Sequence, residues 1–443
     1  MGRAVAGSRS TADGGSNDAL IQCLAELGWS RRGFAFRLGE RCQVLGLSNP
    51  VNPSTVSRWC ANRTVPRDEL AAAACSVLSD GLRRRVSPQS LGWPTSDSDL
   101  ASESLEYKDL SHAVRMLSRL WELDSVRRHS IVSTFSAGVF GAASREALVM
   151  PADERIARPG TFRVTAADVE LLDDHTELYG RKDAAHGGGT FRSVFAALLA
   201  THATPLLLDG QFSERTGRRL YGSVVDAVLA MASMAYDDQL AGLAQRYDLQ
   251  AMRLAQAIGD RARIARVHIH QARLAATQGD RRDVLTHARS AVLASEGGAP
   301  LMKAYAAITE ARAWAYNANP EQALAAVARA RGCFDRSRPS DPHWLGWFDR
   351  HELEAQAAWA LAAAGLSEAG TQALKEAQGM PGERTRDSVE LLITGAELAR
   401  LRGDLTSHSE LTKQAAAAAR GLESRRLTSR IARLTAGLPL DEF

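Results

Sequence analysis

The chain has 443 residues, 45% hydrophobic and 24% charged, which excludes a disordered or fibrous protein and favours a soluble globular one of two or three domains. Charge is unevenly distributed. Residues 1–94 hold twelve Arg, no Lys and seven acidic residues, a net charge of +5, and the remainder carries −2. A basic N-terminal module favours a polyanionic partner for that part of the chain.

The cysteines are few and their spacing is uninformative for metal binding. No pair has the two-to-four-residue spacing of a zinc knuckle, so we expect buried apolar cysteines, with redox sensing and metal binding as weaker alternatives. Their odd number, with no apolar export signal at the N-terminus, predicts a cytoplasmic protein that does not enter a membrane. The five are Cys23, Cys42, Cys60, Cys75 and Cys333.

The first predicted elements are an irregular arm and two short helices. Residues 1–17 are rich in Gly, Ser, Arg and Asp and predict a disordered arm. A helix is predicted to begin at Asp18, carry an apolar stripe and end at Gly28, after which Ser30 caps a second helix.

The next helix, residues 53–59, has the pattern of a helix-turn-helix recognition helix. Pro53 or Ser54 can open it, Pro as a first-turn residue and Ser as a cap. Val56 and Trp59 are three residues apart, so they share one face that can be buried. The other positions carry short hydroxyls and one guanidinium, which are the groups that reach phosphates and base edges in a major groove.

The flanking residues extend this basic surface. We expect a turn before the recognition helix that is longer than in the compact motif, and a fourth helix opened by Pro66. Together the helices predict a DNA-binding helix-turn-helix domain over residues 18–93. Arg63 and Arg67 are expected to contact the DNA backbone. The predicted DNA-binding residues are Ser54, Thr55, Ser57, Arg58, Arg63 and Arg67.

Several segments resemble a family of actinobacterial regulators. In the first module these are Ala25-Glu26-Leu27-Gly28-Trp29-Ser30, Thr55-Val56-Ser57-Arg58-Trp59 and Ser90-Leu91-Gly92-Trp93. Further along they include Met234-Ala235-Tyr236-Asp237 and Gly242-Leu243-Ala244-Gln245-Arg246-Tyr247. That family joins an XRE-like helix-turn-helix to a tetratricopeptide-type helical array, and its members include negative regulators of sporulation and antibiotic production in streptomycetes. The resemblance covers residues 18–300 best and implies the same architecture and a regulatory function here.

A glycine-rich motif, His186-Gly187-Gly188-Gly189, raises an enzymatic alternative, because it is also the oxyanion-loop pattern of some lipases. The chain has no Gly-x-Ser-x-Gly nucleophile elbow and no alternation typical of a parallel sheet. Neither a metal-ligand cluster nor a phosphate-binding loop is evident. We therefore expect no enzyme and no cofactor.

The rest of the chain predicts an all-α fold in which the N-terminal domain precedes an α-solenoid. Residues 94–161 are expected to be a linker with docking helices, and residues 162–443 a tetratricopeptide-like repeat domain. Turns recur about every forty residues, as in helix-hairpin repeats. We expect the hairpins to stack into a superhelix with a concave face, capped by residues 422–434. The turns are Asp238-Gln239, Gly279-Asp280, Asn319-Pro320, Ala364-Gly365 and Gly403-Asp404.

The concave face is predicted to be lined by the first helix of each hairpin. Candidates there also include His268 and His270, which are two apart, face different sides of a helix and so do not share a metal easily. An aromatic segment, residues 343–348, is expected to be core more than a binding cage. The residues predicted to bind an effector are Arg273, Tyr305, Arg312 and Tyr316.

Two functions remain open on this basis. The first is a sequence-specific transcription regulator that binds double-stranded DNA as a homodimer, under the control of a small molecule or peptide bound by the repeat domain. The second is a protein-protein adaptor, in which the helix-turn-helix serves for packing and does not bind DNA. A basic, exposed surface around Arg58 favours the first.

Overall fold

The computed structural model divides the chain into two units, residues 1–102 and 103–443. Residues 45–50, which hold the predicted turn, and Arg67 lie outside the residues that it describes. Those residues are 9–10, 16–44, 51–66, 68–82, 86, 89–93, 97–126, 132, 135–136, 138–379 and 385–438.

The first unit consists mainly of helices, with one short pair of strands. A strand β1 (Arg9–Ser10) pairs antiparallel with β2 (Thr64–Val65), so these two residues of the predicted disordered arm have regular structure because they gain backbone partners. The helices are α1 (Asp18–Glu26), α2 (Arg31–Val44), α3 (Pro53–Cys60), α4 (Asp68–Leu82) and α5 (Asp97–Glu103).

Short-range caps set the ends of these helices. The Asn17 side chain accepts a hydrogen bond from the backbone N–H of Leu20 at the start of α1, and Gly28 follows the helix with a φ of 62°. Ser30 caps α2 as predicted, since its Oγ accepts from Gly33 N at 3.0 Å. The predicted start of the fourth helix at Pro66 is two residues early, because α4 begins at Asp68.

One apolar core joins α1 to α4. Val56 and Trp59 of α3 are fully buried in this core. The rings of Trp59 and Trp93 pack edge to face, with 5.6 Å between their centroids. Asn17 Nδ2 donates to Leu91 O at 2.8 Å, which ties the Ser90–Trp93 segment to the start of α1. The predicted amphipathic recognition helix is thus seated by its apolar face.

The second unit continues the helical architecture, and the all-α prediction is confirmed in the described part of the chain. A short parallel pair, β3 (Phe162–Arg163) with β4 (Gly210–Gln211), interrupts the helices. The helices are α6 (Leu110–Ser125), α7 (Phe140–Val149), α8 (Ala166–His186), α9 (Gly188–Leu198), α10 (Thr204–Leu208), α11 (Glu214–Asp237), α12 (Ala241–Ala257), α13 (Arg261–Thr277), α14 (Arg281–Ser295), α15 (Pro300–Tyr316), α16 (Pro320–Phe334), α17 (Arg350–Ala363), α18 (Ser367–Glu376), α19 (Thr385–Leu401), α20 (Leu405–Ala418) and α21 (Arg425–Thr435).

Helices α11 to α20 form five successive hairpins, each pairing an odd-numbered helix with the next one. All five predicted turns lie inside these hairpins, between the first and the second helix. The connection between the two helices of each hairpin holds a residue with positive φ, such as Gln239 at 58° and Gly403 at 75°. Side chains such as Asp280 and Asn319 then cap the second helix.

The array closes on itself instead of ending as an open superhelix. The first helices α11, α13, α15, α17 and α19 contact one another in this order, and α8 packs against both α11 and α19. These six helices form a ring. Helix α21 covers α19 and α20, as the predicted cap should, and also contacts α11 at the other end of the array.

The glycine-rich motif lies where the ring closes. Gly187, with a φ of 88°, joins α8 to α9, and Gly189 N donates to Glu423 O at 3.0 Å. A Cβ at Gly188 would lie 2.4 Å from Met234 O, so the backbone approach requires glycine. Close packing of helices therefore accounts for the motif that resembled an oxyanion loop.

The segment expected to be a linker with docking helices, residues 94–161, contributes α6 and α7 to the second unit. Both helices pack on α12, and α6 also packs on α9. Polar side chains of α12 bind the preceding loops; for example, Gln250 Nε2 donates to Ser104 O at 2.8 Å. From residue 103 onward this segment is therefore part of the body that surrounds the ring.

By length and composition, residues 188–208 are apolar enough to span a membrane, a test that core helices of water-soluble proteins also meet. Arg192 lies within this segment and is almost fully buried. It pairs with Asp124 at 2.6 Å and with Asp238 at 3.0 Å. The segment thus packs into the second unit through buried ion pairs as well as apolar contacts.

Candidate functional site

Helix α3 presents a polar face opposite its buried one. Ser54 and Arg58 are exposed, and Thr55 and Ser57 are partly exposed. The predicted opening of the helix is half right. Pro53 occupies the first turn, but the cap is Asn52, whose side chain accepts from Thr55 N at 2.9 Å, and not Ser54. Ser54 itself lies within the first turn of the helix.

The hydroxyls on this face are oriented by local bonds. Ser54 Oγ donates to Asn52 Oδ1 at 2.7 Å, and Ser57 Oγ donates to Pro53 O at 2.9 Å. Arg58 Nη2 donates to Thr55 Oγ1 at 3.4 Å. Because the serine protons are engaged, these two hydroxyls offer lone pairs outward, so they suit donors such as base amino groups better than phosphates.

Cations surround this polar face. Arg58 and Arg63 are exposed, and Arg31 of α2 approaches Ser57 Oγ with its Nη1 at 3.5 Å. None of the three makes an ion pair with another residue that the structure describes. Their charge is therefore available to an external anion.

The cysteines of this unit do not form a reactive or metal-binding group. Cys23, Cys42, Cys60 and Cys75 are buried, as expected for apolar packing. Burial raises the pKa of both Cys42 and Cys60, which favours the unreactive thiol. Among the described residues, no group of three or more His, Cys, Asp or Glu side chains could hold a metal ion.

A second candidate site is the cavity inside the ring, with a volume of about 890 Å³. This is within the usual size of pockets for small molecules. Each ring helix lines it with residues three or four positions apart, which lie on one face of the helix. On α13 and α15 these residues are Arg266, His270, Arg273, Tyr305, Thr309 and Arg312.

The arginines of this wall are seated on aromatic rings. The guanidinium of Arg273 lies 4.5 Å from the ring centroid of Tyr236, and that of Arg312 lies 4.6 Å from the ring of Trp359. Burial, together with a smaller effect of the neighbouring charge of Arg273, lowers the pKa of Arg312 to about 10. Positive charge is thus concentrated in a desolvated region.

The wall formed by α8 is acidic. Five acids line the cavity from this helix, together with one cation, Arg181: Glu170, Asp173, Asp174, Glu177 and Asp183. Burial raises the pKa of Asp173, although a hydrogen bond with Ser223 opposes the shift. Helix α8 is separated from α15 by two helices in either direction round the ring, so the acidic and arginine-bearing walls face each other.

Three of the four residues predicted to bind an effector line the cavity: Arg273, Tyr305 and Arg312. Tyr316 does not. It lies one turn beyond Arg312 on α15, and its hydroxyl donates to Ala276 O at 3.3 Å within the α13–α14 packing.

The two histidines of α13 separate as their spacing indicates. His270 lines the cavity, whereas His268 is fully buried outside it and stacks on His287 at 5.7 Å. Burial holds the pKa of both His268 and His270 well below the ordinary value, so both are neutral. Neither shares a metal site with the other.

The aromatic segment 343–348 divides between core and cavity. Leu345 and Phe348 are buried, as predicted for core residues, but Trp344 and Trp347 line the cavity. Sequence reasoning also missed Arg266 and the α8 acids as lining residues. The three- and four-residue spacing on α13 was a visible signal for Arg266, whereas nothing in the sequence brings α8 to this ring.

The geometry defines an all-α protein with a small helical unit that exposes a basic helix and a second unit of helical hairpins closed around a cavity. Residues 20–94 are similar to the family described as the SP15 N-terminal domain. This match covers most of α1 and all of α2, α3 and α4, and none of the ring. No curated protein matches the chain.

Proposed function

We propose that the chain is a sequence-specific, DNA-binding transcription regulator, acting in the cytoplasm and resembling the streptomycete helix-turn-helix and repeat regulators of sporulation and antibiotic production. The observation that carries the proposal is the orientation of α3, with one face buried and the other exposed. Its apolar residues Val56 and Trp59 anchor it in the core, while Arg58 is exposed without an acidic partner among the described residues. A helix held in this way can enter a major groove.

The proposed contacts follow from side-chain chemistry. Thr55, Ser57 and Arg58 are directed to base edges, and Arg63, with Arg67, to phosphates. A single helix contacts only a few base pairs, so useful specificity requires a homodimer on two half-sites. The proposal assigns no catalytic activity or cofactor to the chain.

The second unit is the proposed sensor and dimerisation module. Its support is the cavity of about 890 Å³ within the ring, with convergent charged and aromatic side chains. An effector bound there would act on DNA affinity through the array, by favouring one of two arrangements of the dimer. The gene-control function and the sensor function are separable and are tested separately.

The test of DNA binding starts with selection of genomic fragments by the full-length chain. Fluorescence anisotropy on a selected fragment should show affinity falling steeply with salt, because bound arginines release counterions from the phosphates. Arg58→Glu should abolish specific binding. Arg289→Glu, at an exposed position on α14, is the matched control and should bind as the wild type does. Unchanged binding by Arg58→Glu would reject the proposed recognition helix.

The alternative function is a protein-protein adaptor, and one observation favours it. Phe36 on α2 is 68% exposed, which is unusual for a large aromatic side chain. If no fragment is enriched and affinity for DNA is weak and independent of Arg58, the adaptor replaces the regulator as the proposed function. Phe36→Ser would then be the variant that should lose its protein partner.

A further inference from the structure

We infer that the ring cavity binds a small zwitterion, whose carboxylate lies against Arg273 and Arg312 and whose ammonium lies against Asp173 and Asp174. The inference deepens the sensor role and rests on that part of the proposed function. It does not depend on whether the first unit binds DNA. The argument rests on how charge is distributed inside the closed ring.

The anion-binding end holds one arginine, Arg273, that has no carboxylate partner among the residues that the structure describes. Arg273 makes no ion pair or hydrogen bond with the residues that the structure describes. Arg266 pairs with Asp226 at 3.1 Å through one terminal nitrogen, but its buried Nε has no partner. A buried donor without an acceptor is costly unless a ligand supplies one.

These guanidinium groups converge on one point of the wall. Tyr305 lies among them: burial raises the pKa of its phenol, and the charges of Arg273, Arg266 and Arg312 each oppose that rise. The charge of Glu352 raises the pKa of the same phenol. Its carboxylate also accepts a hydrogen bond from Gln356 Nε2 at 2.8 Å. Three arginines therefore act on this phenol against one carboxylate.

The aromatic rings beneath the guanidinium groups determine which anion fits. A guanidinium stacked on a ring keeps its N–H groups in the plane of the stack, where they can bind a planar carboxylate through two parallel hydrogen bonds. The guanidinium carbons of Arg273 and Arg312 lie over the rings of Tyr236 and Trp359, 4.5 Å and 4.6 Å from the ring centroids, close enough for such stacking. The arrangement suits one carboxylate better than a bulky polyanion.

The opposite wall supplies the complement for an ammonium group. Three of its five acids already have arginine partners, since Glu177 pairs with Arg181, Glu170 with Arg219 and Asp183 with Arg386. Asp174 makes no hydrogen bond or ion pair with the described residues, and Asp173 is hydrogen-bonded to the neutral Ser223. These two carboxylates remain for a cation.

The two ends together select the charge type of the ligand. An anion without a cationic group would be repelled by the α8 acids, and a cation without an anionic group by the arginines. A ligand with one charge of each sign at opposite ends satisfies both walls. Its body would lie against aromatic side chains that also line the cavity, such as Trp347.

The inference is tested by calorimetric titration of the full-length chain with free tripeptides that have a central aromatic residue. The same peptides with an acetylated N-terminus or an amidated C-terminus serve as probes with one charge removed. Free peptides should bind, and each blocked form should bind at least about tenfold more weakly, the effect of losing one charge-assisted contact. Absence of binding up to millimolar peptide, or equal binding of blocked and free forms, would overturn the inference.

Variants assign each end of the ligand to its wall. Arg273→Gln should weaken binding of the free peptide, and this variant should bind the free and the amidated peptide with equal affinity. Asp174→Asn should bind the free and the acetylated peptide with equal affinity. Arg289→Gln on α14 and Glu122→Gln on α6 are exposed controls that should preserve both differences. Retention of both differences in Arg273→Gln or in Asp174→Asn would reject the corresponding contact.

A folding defect is separated from lost recognition by circular dichroism and by Arg273→Lys. This variant keeps the charge but not the planar donor pair, so its affinity should lie between those of the wild type and Arg273→Gln. Anisotropy on DNA is measured with the same preparations. Peptide binding without specific DNA binding would reject the regulator and keep this inference, and DNA binding without peptide binding would do the reverse.

Discussion

Closure of the ring depends on a buried cation in α21. Arg426 is only 9% exposed; its Nε lies 3.3 Å from Asp237 Oδ1 on α11, and its Nη2 pairs with Glu390 on α19. Arg426→Met removes the charge and keeps much of the side-chain volume. Loss of one partner from a buried pair costs about 3–5 kcal/mol, because the remaining charges stay buried. We expect the lower end, about 3 kcal/mol, since Arg430 also lies near Glu390, at 3.5 Å.

The neighbouring residue provides a matched control. Arg425 pairs with Asp238 at 3.1 Å, but its side chain is 70% exposed. An exposed pair contributes about 0–1 kcal/mol, so Arg425→Met should have little effect on stability. Urea denaturation of the full chain measures the difference, and hydrogen exchange should place the lost protection in α19, α21 and the end of α11. Equal effects of the two substitutions would refute the role assigned to burial.

The same pair makes stability depend on pH. Burial by itself would raise the pKa of Glu390, but Arg426 and Arg430 outweigh it and hold the pKa well below its ordinary value. The stabilisation is therefore complete above the unfolded-state pKa of about 4.3 and is lost as the pH falls toward the folded-state value. In Arg426→Met the folded-state pKa rises, so acid unfolding, followed by circular dichroism, should begin at a higher pH than in the wild type. If acid unfolding of Arg426→Met began at the same pH as that of the wild type, this link between the ion pair and stability would be contradicted.

Two further predictions concern packing. Trp59→Ala removes a fully buried ring that meets Trp93 at 5.6 Å, and should destabilise the first unit by about 3–5 kcal/mol in urea denaturation; a cost below about 1 kcal/mol would show that α3 is not anchored by this residue. Gly188→Ala places a Cβ 2.4 Å from Met234 O and should lower the melting temperature by several degrees. Gly180→Ala on α8 is the control. No atom lies within 4 Å of a Cβ at this position, so the melting temperature should stay the same or rise. Equal losses of melting temperature in the two variants would show that the close approach of Gly188 to Met234 is not the cause.

Much of the local structure could be predicted from the sequence, because its signals act over three or four residues. The five hairpin turns, the Ser30 cap and the buried pair of Val56 and Trp59 are examples. The errors are of the same short range. Asn52 and Ser54 are both good caps two residues apart, and only the backbone conformation of the turn decides between them.

The candidate cavity was only partly visible in the sequence. Periodicity on α13 and α15 indicates which residues share a face, and so Arg273, Tyr305 and Arg312 were found. Periodicity does not tell which neighbouring helix covers a face, so it could not show that Tyr316 bonds to Ala276 O and does not line this cavity. The acids of α8 belong to a helix before the repeats, and no local pattern assigns it to the ring.

The sequence by itself determined the helices, their caps and turns, the basic character of the first unit and the repeat of hairpins. The tertiary structure alone decided that the hairpins close into a ring, that α8 completes it, and that acids and arginines oppose each other across a cavity. The physical reason is the range of the contacts. Capping and periodicity act between neighbours in sequence, whereas closure rests on pairs such as Arg386 with Asp183, which lie 203 residues apart.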